Sequence, residues 1–334
     1  MVSPDYPKRK YLTEIGFNLA SQGVLITHPK DIALVEEQSA ESRELAKDCH
    51  IYLIVKRPRL GFVPDSIKWS DGRTHGKMYY HKAGKRIEVD FSLDGEPNGS
   101  IIYSSYPHST ISIVKGEQSS GPLPAHLVSL ICNDISDKKL RDLEVVYVGM
   151  SYGNGTRSAK DRLKSHSTLQ QVLADMSADE PDCEALLILV QYAPPISMIS
   201  FDGRDKSLSI EDDRDLIGDL AKQQELIDQK TEIALAEAGL IKYFKPRYND
   251  KYKNNFPNRA HMITQSLYNI DFIAFVVELN TEEINVRLFS ENVKPGFHHL
   301  ASYDLHDPKI RKSFFNLLES SSSYSSENHS GPIF

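Results

Sequence analysis

From residue 51 the chain sets short apolar runs between Gly, Pro and Asp turn signals. The runs are "IYLIVK", "GKMYYHK", "RIEVDFSL", "SIIYSSY" and "STISIVKG", with "DGR" and "DGEPNG" among the separators. Such runs predict strands. Residues 1–48 read as helical in pieces, for example "DIALVEEQSAESRELAKD", and "GEQSSGPLP" (116–124) has linker composition. The expectation is a mixed α/β N-terminal module over 1–122 with a β-rich second half. Beyond it, "HLVSLICN", "LEVVYVGM" (143–150) and "CEALLILVQYA" (183–193) predict three buried strands, and a glycine-bearing loop leads into helical sequence after the second. One helix is predicted from about 219 to 244, ended by Pro246. "DFIAFVVELN" and "INVRLFS" read as a β-hairpin and "PKIRKSFFNLLES" as a closing helix, within an extension over 257–318. The serine-rich segment 319–334 reads as disordered. The predicted fold class is α+β, with a central domain over 123–256 that carries an acidic insertion at about 200–220.

Composition narrows the function classes. The 334 residues are 40% hydrophobic and 25% charged, and no apolar run approaches the roughly 18 residues of a membrane span. The first residues carry charge with no apolar block behind them, so no secretory leader is expected. Cys49, Cys132 and Cys183 are far apart and odd in number, which supports neither a disulfide framework nor a cysteine zinc site. The reading is a soluble cytoplasmic protein without a membrane partner. A net charge of −7 argues against coating nucleic acid through bulk charge. Locally the balance reverses. Lys242, Lys245, Arg247, Lys251, Lys253 and Arg259 face one carboxylate, Asp250, with Tyr243, Phe244, Tyr248, Tyr252 and Phe256 between them. Cations of this kind contact phosphates and interleaved aromatics can stack on bases.

Three features carry candidate chemistry. Glu237 lies four residues from both Ile233 and Ile241, on an apolar helix face where a carboxylate is costly unless paired or bound to a cation. Arg162 and His166 in "DRLKSH" are also four apart and share a helix face. A guanidinium can clamp a phosphate while the imidazole moves a proton. Tyr147 stands two residues before Gly149 at the end of a predicted strand, where its hydroxyl can meet a water nucleophile. Each has a plain structural alternative: a boundary carboxylate, a solvated helix surface, an ordinary sheet tyrosine.

In order along the chain, "YVGMS", "RLKSH" and "EAGLIKYFKPRYN" resemble the GIY-YIG nuclease superfamily over roughly 125–255. The resemblance implies a small antiparallel sheet flanked by helices that cuts phosphodiester bonds with one divalent metal, Mg²⁺ or Mn²⁺. It implies Glu237 as metal ligand, Arg162 as phosphate clamp, Tyr147 positioning the attacking water, His166 assisting and Asn249 holding the loop around the site. Lys160, Lys164, Lys242, Lys245, Arg247, Lys251 and Lys253 would line the nucleic acid, DNA before RNA. The family's first-strand tyrosine has no clear counterpart. "LVSLICN" puts Ser129 near its place, and Tyr103, Lys160 and Lys164 are other candidates.

The resulting expectation is a metal-dependent endonuclease, by analogy in restriction or phage defence, whose N-terminal module selects substrate or a protein partner. The alternative is a catalytically degenerate nucleic-acid-binding or regulatory protein, favoured by Ser129 and the net charge. A third reading gives the main activity to the N-terminal module, where His75, His81 and His108 lie without metal-ligand spacing. The acidic loop "SFDGRDKSLSIEDDRD" reads either as solvated surface or as a phosphate-mimicking lid.

Overall fold

The computed structural model describes residues 11–34, 40–152, 167–200, 210–214, 216, 218, 220 and 227–306. The closing helix expected after 307, the serine-rich tail and most of the acidic insertion lie outside the described residues.

Strand β2 (Ile51–Pro58) is apolar at nearly every position because both of its faces are covered. Strands β1 (Glu14–Thr27), β12 (Asp142–Met150), β13 (Cys183–Tyr192), β14 (Ile196–Ser200), β15 (Ala274–Asn280), β16 (Arg287–Ser290), β17 (Val293–Gly296) and β18 (His298–Asp304) join it in one nine-stranded sheet. The order is β17-β16-β12-β2-β13-β1-β15-β18, with β14 added beside β1. Among the described residues five α-helices accompany the strands: α1 (Ala40–Asp48), α2 (Ala125–Ile131), α3 (Ser167–Asp179), α4 (Gln229–Phe244) and α5 (Met262–Ile270). The fold is α+β.

Alternation along β2 and β13 divides the core in two. Ile51, Leu53, Val55, Leu186, Ile188 and Val190 pack toward α4, while Tyr52, Ile54, Leu187 and Leu189 pack toward Leu169, Val172 and Met176 of α3. Helix α4 touches β12 and β2 and also β15 and β18, so the sheet curves around it. That explains why α4 is apolar nearly all round rather than along one stripe. Its start is set by Asp228, whose carboxylate accepts from the Thr231 N–H at 2.8 Å. The predicted start near 219 is therefore corrected to Gln229. Its end is Lys245, left-handed at φ 49°, just before Pro246.

The β-rich part of the expected N-terminal module is an insertion, which corrects the boundary at 122. Strands β1 and β2 belong to the main sheet, and β2 pairs antiparallel with β12, so residues 59–141 leave and re-enter between two neighbours. Within the insertion, β3 (Gly61–Phe62), β4 (Lys68–Ser70), β5 (Arg73–Lys82), β6 (Lys85–Asp94) and β11 (Asp134–Ile135) form one small sheet. A second small sheet comprises β7 (Ser100–Tyr103), β8 (Thr110–Lys115), β9 (Gln118–Ser119) and β10 (Leu123–Pro124). They enclose their own core, including Leu60, Phe62, Met78, Phe91, Val128 and Leu140.

Three further expectations change. Residues 14–27 form a long strand instead of helix. They pair with β13 through one half and with β14 and β15 through the other, with a register shift between Ser21 and Gly23. "HLVSLICN" is not a strand: Ala125–Ile131 is helix α2, burying Val128, Ser129 and Leu130. "DFIAFVVELN" and "INVRLFS" do not pair as a hairpin, because β15 adds to β1 and β18 while β16 runs parallel to β12. Arg287 pins β16 there through its Nε to Asp142 at 2.6 Å.

A buried ion pair joins the insertion to the main sheet. Arg57 of β2 donates from Nε to Glu184 of β13 at 3.0 Å, and from Nη1 to Ser129 Oγ and to the Leu140 carbonyl, both at 2.9 Å. Burial pushes Glu184 up and Arg57 down, and each is opposed by the other's charge. Glu184→Gln keeps the shape and removes the countercharge. It is expected to lower stability by about 3–5 kcal/mol in a denaturant melt, the usual cost of leaving one buried partner uncompensated.

Candidate functional site

The end of β2 opposite Arg57 holds the strongest candidate site. Strand β12 reaches it through a β-bulge: Val145 lies across from Val55 and Tyr147 across from Ile54, so Val146 is an extra residue. The bulge reverses the alternation. Val145 faces the α4 core, Val146 and then Tyr147 both face the α3 core, and Val148 faces α4 again. Without it Tyr147 would point to the other face. With it, Tyr147 joins Tyr52, their ring centroids 6.1 Å apart. Gly149 lies across from Tyr52 in the ladder. A Cβ at 149 would stand 2.5 Å from both the hydroxyl and the Cζ of Tyr52, and 2.7 Å from Tyr147 Cε1. Glycine is therefore needed for space.

Tyr52 is the residue that sequence reading missed. It is buried at 1% exposure, whereas Tyr147 is half-buried. The available signal was the pair Ile51-Tyr52 opening an apolar strand, but the insertion separates it from Tyr147 and no short turn links the two. Ser129, expected near this place, is instead on α2, where it accepts from Arg57 and donates to the His126 carbonyl at 2.8 Å. That correction follows from the helix.

The segment after Pro246 closes on β12. The Tyr248 N–H donates to the Val146 carbonyl at 3.0 Å, which occupies the bulge residue. Asn249 is buried and grips the Val148 peptide on both sides: Oδ1 accepts from the Val148 N–H at 2.9 Å and Nδ2 donates to its carbonyl at 2.8 Å. Asn249 thus fixes the backbone between Tyr147 and Gly149. The Tyr248 hydroxyl donates to Asp175 of α3 at 2.8 Å. His50, just before β2, bonds through Nδ1 to the Ser151 carbonyl at 2.9 Å and closes the strand end.

Glu237 is half-buried on α4, between the buried Ala236 and Ala238, a carboxylate on a helix otherwise given to core. Its carboxylate is a hard oxygen donor, and among the described residues no cluster of three His, Cys, Asp or Glu side chains gathers around a point. Lys160, Arg162, Lys164 and His166 lie outside the described residues.

The basic strip is divided by burial. Phe244, Tyr252 and Phe256 are core residues, and Lys245, Arg247, Lys251 and Arg259 are exposed. The buried rings are not available for base stacking, which corrects that part of the expectation. Lys242 donates to the Asn254 carbonyl at 3.0 Å, Arg247 lies 3.6 Å from Glu180, and Lys251 sits 4.5 Å above the Tyr252 ring. No helix among the described residues is long and apolar enough to cross a membrane.

No protein-family model, curated protein or solved structure matches the chain.

Gly149→Ala is expected to force Tyr52 from its place at about 1–3 kcal/mol, the usual range for overpacking a full core. Asn249→Ala, which strips both partners from the Val148 peptide, should cost about 1–3 kcal/mol. Urea unfolding of each variant against the parent chain checks both.

Proposed function

We propose that the chain is a metal-dependent endonuclease of GIY-YIG type that hydrolyses phosphodiester bonds in DNA. The observation that carries this reading is the Tyr52–Tyr147 pair across Gly149, with Asn249 holding Val148 between Tyr147 and Gly149. Its parts match the resemblance stated from sequence, with Tyr52 in the family's first-tyrosine role in place of Ser129. On this reading Ser129 is not an argument for a degenerate binder.

The roles follow from accessibility. Tyr147, half-buried, orients the attacking water, and Tyr52, fully buried, positions the Tyr147 ring. Arg162 and His166 would clamp and protonate around the scissile phosphate. Glu237 suits Mg²⁺ or Mn²⁺, since such ions are held by one or two carboxylates with the remaining positions left to water and substrate. When bound, the ion supplies charge neutralisation at the phosphate. The exposed Lys245, Arg247 and Lys251 contact backbone phosphates, and Lys242 and Lys253 flank them. With the strip's large rings mostly in the core, recognition through backbone charge favours DNA whose bases remain stacked. A restriction or phage-defence setting would suit such an enzyme.

Cleavage of supercoiled plasmid and of short single-stranded DNA, with Mg²⁺, Mn²⁺ or EDTA, tests the reading. The parent chain is expected to cut with metal and not with EDTA, and Glu237→Ala to fall to background. Tyr52→Phe should cut about 100-fold more slowly while remaining folded by circular dichroism. A folded parent chain that cuts neither substrate overturns the proposal.

Binding to DNA at increasing salt gives a separate check. Lys245→Ala and Lys251→Ala should each reduce the slope of log K against log salt by roughly 1, without changing which sequence is preferred.

A further inference from the structure

The seam between the insertion and the main sheet encloses a pocket of about 320 Å³. It lies beside Glu184, at the end of β2 and β13 remote from Tyr52. Arg57 stands five positions along β2 from Tyr52, about 17 Å at roughly 3.3 Å per residue. The pocket is thus distinct from the tyrosine site.

Its lining is cationic. Lys30 and Arg59 are exposed at the pocket, and among the described residues neither is in an ion pair. Arg59 Nη2 donates to the Cys183 carbonyl at 3.2 Å, which holds its guanidinium at the mouth. The one carboxylate in the lining, Glu184, is already committed to Arg57 at 3.0 Å. Arg57, the partner of Glu184, has its Nη2 buried with no hydrogen-bond partner among the described residues. His28, from the turn after β1, and His126, from α2, bring their rings to 6.0 Å. The His28 Nδ1 accepts from the Lys30 N–H at 3.3 Å, which leaves its Nε2 as a donor.

We propose that this pocket is a binding site for a small oxyanion of the phosphate class, held by Lys30 and Arg59 with hydrogen bonds from His28 and His126. The ligand would bridge the insertion and the sheet, because His126 belongs to one and His28 and Lys30 to the other. Such an anion supplies the acceptor oxygens and negative charge that the lining lacks.

The charge state of the imidazoles supports this geometry. Burial and then Lys30 hold His28 below its ordinary pKa, opposed by Asp31, with Arg59 adding to the depression. Burial, then Arg57, His28 and Lys30 bring His126 down to about 3. Cys183 also borders the pocket, with its thiol raised by burial. Both histidines are therefore neutral near pH 7, and an entering anion favours their protonation. Binding is accordingly proton-linked and strengthens as pH falls.

Calorimetry of the full chain with sulfate, whose charge is constant over the range, tests the linkage at about pH 6 and about pH 8. Inorganic phosphate and glycerol phosphate are the second and third probes. Saturable binding that is tighter at the lower pH, with an enthalpy that depends on buffer ionisation, is expected. Glycerol phosphate binding as well identifies a phosphomonoester site, and its failure beside phosphate identifies a site for the free ion. Arg59→Ala and Lys30→Ala should each weaken binding about 10-fold or more. His126→Gln should reduce the buffer dependence, with melting curves showing that each variant is folded. Absence of saturable heat for all three anions overturns the proposal. So does binding unchanged in the Lys30 and Arg59 variants, or binding independent of pH and buffer.

Discussion

The constraint on which the molecule depends is the register of β2 between β12 and β13. Its side chains alternate between two cores, so a slip of one residue would exchange Tyr52 and Ile54 with Leu53 and Val55. Two fixed points prevent the slip. At one end, Arg57 meets Glu184 across the ladder and reaches into the insertion at Ser129 and Leu140. At the other, the Tyr52 ring occupies the space above Gly149 that any Cβ would fill. The insertion 59–141 can leave and rejoin the sheet there because these anchors, rather than a hairpin turn, set the pairing. Loop length adds only slowly to the closure cost, so a folded insertion is tolerable if its own core supports it. Residues such as Phe62, Met78 and Val128 provide that core.

The bulge at Val146 is the second element of the design. Bulges re-aim side chains, and here a single extra residue turns Tyr147 onto the face of Tyr52 while Val145 and Val148 remain in the α4 core. The extra residue is not left idle, because its carbonyl accepts from Tyr248. The neighbouring Asn249 then satisfies Val148 in both directions. The "KPRYN" segment thus acts as a brace for an irregular strand, and its position immediately after Pro246 follows from the left-handed stop at Lys245.

What was legible in the sequence depended on local signals. Apolar runs bounded by turn residues identified β2, β5, β6, β12 and β13, and Pro246 identified the end of α4. The long strand β1 was missed because it changes partners halfway and is bulged, so its apolar pattern keeps neither a strict period of 2 nor a helical one. "HLVSLICN" looks like a strand because helix α2 is short and packs against both the insertion core and the main core, as Val128 and Leu130 show. Tyr147 was singled out by its place before Gly149 at a strand end, and Asn249 only through the family resemblance. Tyr52 was not, because its relation to them exists only across a ladder whose strands the insertion separates. The buried Arg57–Glu184 pair was illegible for the same reason: each looks like surface charge until the two strands are paired.

The separation of cations from rings in the basic strip bears on how an acidic protein could hold nucleic acid. Tyr252 and Phe256 serve the core around Phe275 and Tyr303, which leaves Lys245, Arg247 and Lys251 to act on solvent as charges. Their attraction for a phosphate backbone is local, reaching about 8–10 Å at physiological salt, and within that range the distant negative charge of the chain is largely screened. A net charge of −7 and a phosphate-binding surface are therefore compatible.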